Sequence, residues 1–209
     1  MAFKGQKRQR RKEARPAEIM AAALDIFAER GFAAARLEDL AERAGVSKAT
    51  IYLYFESKAD LFAAIVRDIA TPHFEEMEAL IAAHDGSSAE LLDLVIAKLR
   101  EIATGTQLPS LAKIILSEAR NFPGIRDFYR DDVILRGFAN LGRIIERGTA
   151  RGEFRPCNVN AAVQEIVFPI LLNTIARNTF GELPQFDPDG FFTVHAEFVR
   201  RGLAAEREA

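Results

Sequence analysis

The 209-residue sequence predicts an all-α fold of about nine helices, an expectation that rests on three features. Apolar residues recur at helical spacing from Ile19 to the C-terminal region. No stretch sustains the period-two alternation of a half-buried strand, and no β-branched runs flank a tight turn. Proline, glycine and capping serine or aspartate divide the chain into helix-length segments. Apolar residues at 49% and charged residues at 28% are ordinary for a globular protein and exclude general disorder or a collagen-like chain. The apolar run Ile166–Leu172 falls far short of the roughly 18 residues of a membrane span, so no membrane partner is expected. The N-terminus lacks a secretory pattern, and a single cysteine, Cys157, excludes an internal disulfide framework. A soluble, cytoplasmic chain is expected.

The first helix begins at Pro16, whose missing N–H costs nothing in a first turn, and Gly31 ends it. Between them Ile19, Ala22, Ala23, Ile26 and Phe27 form one stripe. Leu37, Leu40, Ala41 and Ala44 make a shorter one, closed by Gly45. Ser47 caps a third helix, Lys48 to Phe55, and Ser57 a fourth, with Asp60 at its third position in a box-like pattern. Pro72 is expected to kink or restart the fourth helix. Helices over 87–103, 109–121 and 125–148 follow, then one over about 160–180 that bends at Pro169. The last starts at Asp187-Pro188 and runs to about Arg201.

Charge is unevenly spread. Residues 1–15 hold seven basic side chains (Lys4, Lys7, Arg8, Arg10, Arg11, Lys12 and Arg15) against Glu13, a net of +6. The remaining 194 residues hold 21 basic and 29 acidic side chains, a net of −8, so the overall −2 hides a cationic arm on an acidic body. The arm reads either as a solubilising disordered tail or as a segment that engages DNA, free when unbound and engaged when bound. Seven phosphate contacts would steepen the salt dependence of log K by roughly 6, an upper limit.

The segment Leu37–Lys58 carries the most information. Two short helices joined by Ala44-Gly45-Val46-Ser47 have helix-turn-helix geometry, in which the second helix is offered to a major groove. At 3.6 residues per turn Phe55 lies about 40° from Ile51, and both face inward. Ala49 and Leu53 then point outward, flanked by Thr50 and Tyr52. Small and apolar residues at the centre of an exposed face suit thymine methyls, while Thr50 and Tyr52 reach base edges or phosphates. Lys48 and Lys58 each follow a capping serine at the positive end of a helix dipole, an arrangement that makes sense if an anion binds there.

Gly31-Phe32, Asp39-Leu40-Ala41, Ala44-Gly45-Val46-Ser47-Lys48, Thr50-Ile51-Tyr52, Tyr54-Phe55 and Ser57-Lys58 with Leu61-Phe62 together resemble the DNA-binding domain of the TetR/AcrR family of bacterial transcriptional regulators. The resemblance spans residues 16 to 65, with a weaker echo in Ser117–Pro123. It implies that Ser47, Lys48, Thr50, Tyr52, Tyr54 and Lys58 contact phosphates or bases. Three departures stand out. Ala35 replaces a usual threonine, Arg36 takes the adjacent position and offers a longer-range contact, and Ala49 replaces a common glycine. The expected DNA-binding set is therefore Arg36, Ser47, Lys48, Ala49, Thr50, Tyr52, Leu53, Tyr54 and Lys58.

A single short recognition helix reads few base pairs, so a two-fold dimer on a palindromic operator of double-stranded DNA is expected. The helix over 160–180 is apolar around most of its circumference and needs two apolar neighbours. Val163, Ile166, Val167, Ile170, Leu171, Thr174, Phe191, His195, Phe198 and Val199 are the expected interface, on the family's pattern of two C-terminal helices packing on their mates; a purely intramolecular core is the alternative. Ten of sixteen phenylalanines follow Asn121. They suit either an ordinary core or an effector pocket, for which Ser117, Asn121, Phe122, Phe138, Phe168, Asn173 and Arg177 are the candidates. His73, His84 and His195 form no metal motif, and no catalytic or nucleotide-binding signature occurs, so neither enzyme activity, nor a cofactor, nor a metal is expected. The domains are expected at 1–15 (disordered basic arm), 16–62 (helix-turn-helix) and 63–209 (effector binding and dimerisation). The expected function is a ligand-responsive, DNA-binding regulator, a repressor released by a small apolar or amphipathic effector of unknown identity. The alternative is an all-α ligand-binding or protein-interaction module that no longer binds DNA.

Overall fold

The computed structural model describes residues 3–181 and 187–205, with side chains from Arg15 onward apart from Pro188. Its regular elements among these residues are all helical: α1 (Phe3–Ala34), α2 (Leu37–Arg43), α3 (Lys48–Tyr52), α4 (Lys58–Ala83), α5 (Ser88–Gly105), α6 (Leu108–Glu118), α7 (Pro123–Tyr129), a π-turn (Arg130–Ile134), α8 (Leu135–Ala150), α9 (Val159–Phe180) and α10 (Pro188–Leu203). An isolated bridge joins Phe154 to Ala204. Counting α7, the π-turn and α8 as the one stretch expected over 125–148 gives the nine helices the periodicity predicts.

Capping follows the sequence closely. Ser87 and Glu90 make a reciprocal capping box at α5, Asn158 accepts from the Ala161 amide at α9, and Asp187 accepts from the Gly190 amide at α10. At α4 the Ser57 hydroxyl accepts from the Asp60 amide at 3.0 Å, while the Asp60 carboxylate reaches back to the Glu56 amide. Other features depart from expectation. Gly31 does leave the helical conformation, at φ 75° and ψ 167°, but the helix resumes over 32–34, and only Ala35 and Arg36 separate it from α2. α3 is five residues long and does not reach Phe55. α4 does not restart at Pro72, while α9 holds Pro169 within one helix, as expected. The arm expected to be disordered is helical from Phe3 onward, continuous with α1. The side chains of its basic residues before Arg15 lie outside those described.

Two compact units divide the chain, and their limits differ from the expected boundary after residue 62. The first holds residues up to Asp68 together with Ile114–Tyr129; the second holds Ile69–Lys113 and the chain from Arg130 on. The first unit is centred on Ile19, Phe27, Phe32, Leu40, Ile51, Leu61, Phe62 and Ile125, all at most 1% exposed. Phe27, Phe32 and Phe62 form an aromatic triangle with centroids 5.3–5.5 Å apart, and Phe122 meets Phe32 edge-to-face at 4.8 Å.

In the second unit Leu91, Leu92, Val95 and Ile96 of α5 pack with Ile144 and Ile145 of α8, Val163, Ile166 and Ile170 of α9, and Phe192 and Val199 of α10. Arg147 of α8 donates to the His84 and Gly86 carbonyls and to the Ser88 hydroxyl, tying down the α4–α5 turn. By length and composition α9 alone among the described helices suffices to cross a bilayer, although no apolar run in the sequence suggests it. Gln164, Glu165, Asn173 and Arg177 along it, and its inner face in the core, mark it as a packing helix.

Candidate nucleic-acid interface

α2 is fixed to α1 by ion pairs. Arg43 donates two bonds to Glu29, at 2.9 and 3.0 Å, and lies 4.0 Å from Asp25, while Arg30 meets Asp39 at 2.7 Å. Gly45 then supplies the left-handed step, φ 63°, that reverses the chain, and the Val46 amide closes the turn on the Ala41 carbonyl at 2.9 Å. The Ser47 hydroxyl accepts from the Thr50 amide at 3.1 Å and lies 2.8 Å from the Thr50 hydroxyl, starting α3. Ile51 is buried and so is Phe55, which lies beyond the end of α3 with its amide bonded to the Ile51 carbonyl at 3.0 Å. The opposite side is open: Ala49 is exposed, Tyr52 is 50% exposed and Leu53 is 80% exposed. Among the described residues, no part of the first unit covers this face.

Arg36 precedes α2, exposed and without a capping bond. Ser47 and Lys48 are exposed, and Thr50 and Tyr54 are half-buried. Lys48 is not aimed at an anion at its helix start. Its ammonium lies 2.6 Å from Glu38, whose carboxyl is held below the usual range chiefly by that bond. Both partners are exposed, so a phosphate can displace the carboxylate.

Lys58 departs furthest from expectation. Its ammonium donates to the carbonyls of Phe32 (2.6 Å), Ala33 (3.2 Å) and Ala35 (2.9 Å) and lies 4.5 Å from the Phe32 ring centre. The last carbonyls of a helix lack intrahelical partners, and here a lysine supplies them. Burial pushes its pKa down, partly offset by Glu118. The expected anion sites at the two helix starts are therefore occupied by the protein's own oxygens. Nothing in local spacing signalled either partner: Glu38 stands on another helix, and the three carbonyls lie more than twenty residues upstream.

The expected effector residues divide between the two units. Ser117, bonded to the Ile114 carbonyl, Asn121, and Phe122 against Phe32 belong to the first unit. Phe138 packs against the core of the second, Phe168 is 52% exposed, and Asn173 and Arg177 are half-buried on α9. Of the seven, only Asn173 lines the groove of about 850 Å³ between α9 and α10. Its Oδ1 is buried without a hydrogen-bond partner.

The expected interface residues also divide. Val163, Ile166, Ile170, Thr174 and Val199 are buried within the chain's own unit, with the Thr174 hydroxyl bonded to the Ile170 carbonyl. Val167 and Leu171 are half-buried. Phe191, His195, Phe198 and Val199 line the groove. The exposed side of α9 presents Phe168 and Leu172, about 200° around the helix from Ile166 and Ile170, and α10 adds Val194 and Phe198. Leu172 and Val194 were not among the expected residues. His195 places Nε2 at 2.9 Å from the Ile166 carbonyl and stacks within 6° of parallel on Phe191. Burial lowers its pKa, against the opposing effect of that carbonyl.

Residues 19–65 match the family model described as bacterial regulatory proteins, tetR family. Over 159 residues the chain is 28% identical to the fatty acid metabolism regulator protein of Bacillus subtilis, covering 76% of this chain and 80% of that one. Over 63 residues, 30% of each chain, it is 48% identical to the transcriptional regulator RutR of Escherichia coli. Among solved structures, the regulator FadR of Bacillus subtilis in complex with stearoyl-CoA shares the fold, with a TM-score of 0.73 at 23% identity, covering 90% of this chain and 98% of that one.

Proposed function

We propose that the chain, whose residues 19–65 match the family model of the tetR bacterial regulatory proteins, is a ligand-responsive transcriptional regulator of that kind, a repressor that binds a palindromic operator as a homodimer in the cytoplasm. One observation carries the DNA-binding reading: an exposed face of Ala49, Tyr52 and Leu53 on a helix anchored from behind by Ile51 and Phe55. Apolar side chains held out in water at a helix-turn-helix suit contact with thymine methyls, with Tyr52 and Thr50 beside them for base edges or phosphates. Arg36, Ser47, Lys48 and Tyr54 surround that face as phosphate contacts. The protein acts by binding and has no catalytic role.

Dimerisation is proposed through the outer side of α9 and α10. Phe168, Leu172, Val194 and Phe198 form an apolar surface that no described element of the second unit covers. The effector is proposed to be a small apolar or amphipathic molecule, and the name of the Bacillus relative favours one with an acyl chain. Its binding releases DNA by favouring a conformation in which the two recognition helices no longer match successive half-sites.

A salt-titrated gel shift with DNA from upstream of the chain's own gene tests this. Binding should weaken steeply as salt rises and be relieved by a long-chain acyl thioester. Binding that ignores salt, or none to any upstream fragment, would favour a helical module that does not bind DNA.

A further inference from the structure

We propose that Lys58 is a positioning residue for DNA binding, setting the orientation of α2 and α3 from behind and making no phosphate contact, with Phe122 completing its seat. The inference rests on the DNA-binding reading above.

An ammonium has three hydrogens, and here three carbonyl oxygens receive them. None is left for a phosphate. The carbonyls belong to Phe32, Ala33 and Ala35, the residues between the Gly31 break and the start of α2 at Leu37. This short turn is the chain's route from α1 to the helix-turn-helix. Its last carbonyl lies two residues before α2, so a shift in the turn moves α2 and, through the packed Gly45 turn, α3. Lys58, as the first residue of α4, thereby fastens that turn to a third helix.

The seat has aromatic walls. The charge lies 4.5 Å from the centre of the Phe32 ring and 5.9 Å from that of Phe122, which meets Phe32 edge-to-face at 4.8 Å. Phe122 comes from the α6–α7 corner, a part of the same compact unit. Removing its ring would open the seat to water and weaken each carbonyl bond by competition. An arginine cannot substitute, because its planar fork does not place donors on three oxygens converging on one point.

Lys58→Met, Lys58→Arg and Phe122→Ala proteins are compared with the wild type by salt-titrated binding to the upstream fragment, after thermal melting confirms folding. All three should bind at least about tenfold more weakly at fixed salt, as expected for losing bonds to a charged group. The slope of log K against log salt should match wild type, because no phosphate contact is lost. A phosphate-contacting lysine predicts otherwise: Lys58→Arg near wild type, Phe122→Ala neutral, and a slope shallower by about 1.8 for Lys58→Met in a dimer. That pattern overturns the proposal. Should Lys58→Met fail to fold, the other two variants decide.

A second readout needs no DNA and separates this inference from the regulator assignment. In the free protein, the Lys58 Cε resonance should titrate below the other lysines, and in Phe122→Ala it should move back toward them. Titration of Lys58 with the rest would overturn the clamp even if the protein binds its operator tightly.

Discussion

Tyr52 and Ile51 are neighbours in the chain with opposite duties. Ile51 is 1% exposed and holds α3 to the unit, whereas Tyr52 is half exposed and makes little of the core. Tyr52→Ala should therefore abolish specific operator binding while lowering the melting temperature by no more than a few degrees. Gel shift and thermal melting on one preparation check both halves, and an unfolded variant would show the facing of α3 to be misread. His195 gives a second prediction at this scale. A carbonyl accepts its Nε2 hydrogen bond, so the neutral ring carries its proton on that nitrogen. Burial depresses its folded pKa, so the unfolded chain takes up the proton first as the pH falls. Stability from this residue is thus complete above the ordinary value of about 6.5 and is lost as the pH drops from there toward the folded pKa. Melting temperatures from pH 8 to 5.5 should fall more steeply for wild type than for His195→Gln, which keeps a donor but does not titrate. Parallel curves would exclude this role. The facing of Ile51, Phe55, Ala49 and Leu53 was legible in the sequence because the helical period holds through the turn after α3, where Leu53 stays in the right-handed region and the Phe55 amide bonds the Ile51 carbonyl. The partners of Lys48 and Lys58 were not, because a side chain's choice among oxygens depends on tertiary approach.

At the scale of elements, punctuation was legible wherever it is a property of the local chain. Ser87-x-x-Glu90, Asn158 and Asp187-Pro188 all cap as their residue types dictate, and Gly45 turns as a left-handed glycine must. What period cannot reveal is which neighbour covers each side of a helix. α9 reads as apolar nearly all round, and the structure resolves this into an inner row at Val163, Ile166, Ile170 and Thr174 and an outer pair at Phe168 and Leu172. The expected interface took that inner row together with the half-buried Val167 and Leu171 and left out the outer pair. The return of Ile114–Tyr129 to the first unit was equally hidden, since it depends on contacts such as Phe122 with Phe32. Two glycines separate conformational from steric effects. A methyl at Gly45 would meet nothing within 4 Å, so Gly45→Ala should cost only the left-handed backbone, about 1–2 kcal/mol. A methyl at Gly148 of α8 would overlap the buried Phe154 ring. Gly148→Ala must displace that ring and should lower the midpoint in chemical denaturation further than Gly45→Ala. The reverse order would mean that the Phe154 site yields more easily than its packing suggests.

For the whole molecule, the decisive quantity is whether recognition helices are presented singly or in pairs. One five-residue helix with an open face contacts few bases, and useful discrimination at about 1–3 kcal/mol per base pair requires a second copy at a fixed spacing. The outer surface of α9 and α10 is the proposed means. It holds Phe168, Leu172, Val194 and Phe198 in water, beside a groove lined by Phe191 and His195. An isologous contact doubles every substitution, because each altered side chain occurs once on each side of the two-fold axis. Phe198→Asp therefore introduces two carboxylates into one apolar interface while disturbing little within the chain, where Phe198 is 67% exposed. The variant should fold with nearly the wild-type melting transition, sediment as a monomer, and lose operator affinity by orders of magnitude, because each half-site is then bound independently. Val163→Asp is the contrasting control. Val163 is fully buried in the chain's own core, so the charge there should unfold the second unit. If Phe198→Asp still sediments as a dimer, the copies meet on another surface, and the exposed row on α9 and α10 must be covered by something other than a second copy of this chain.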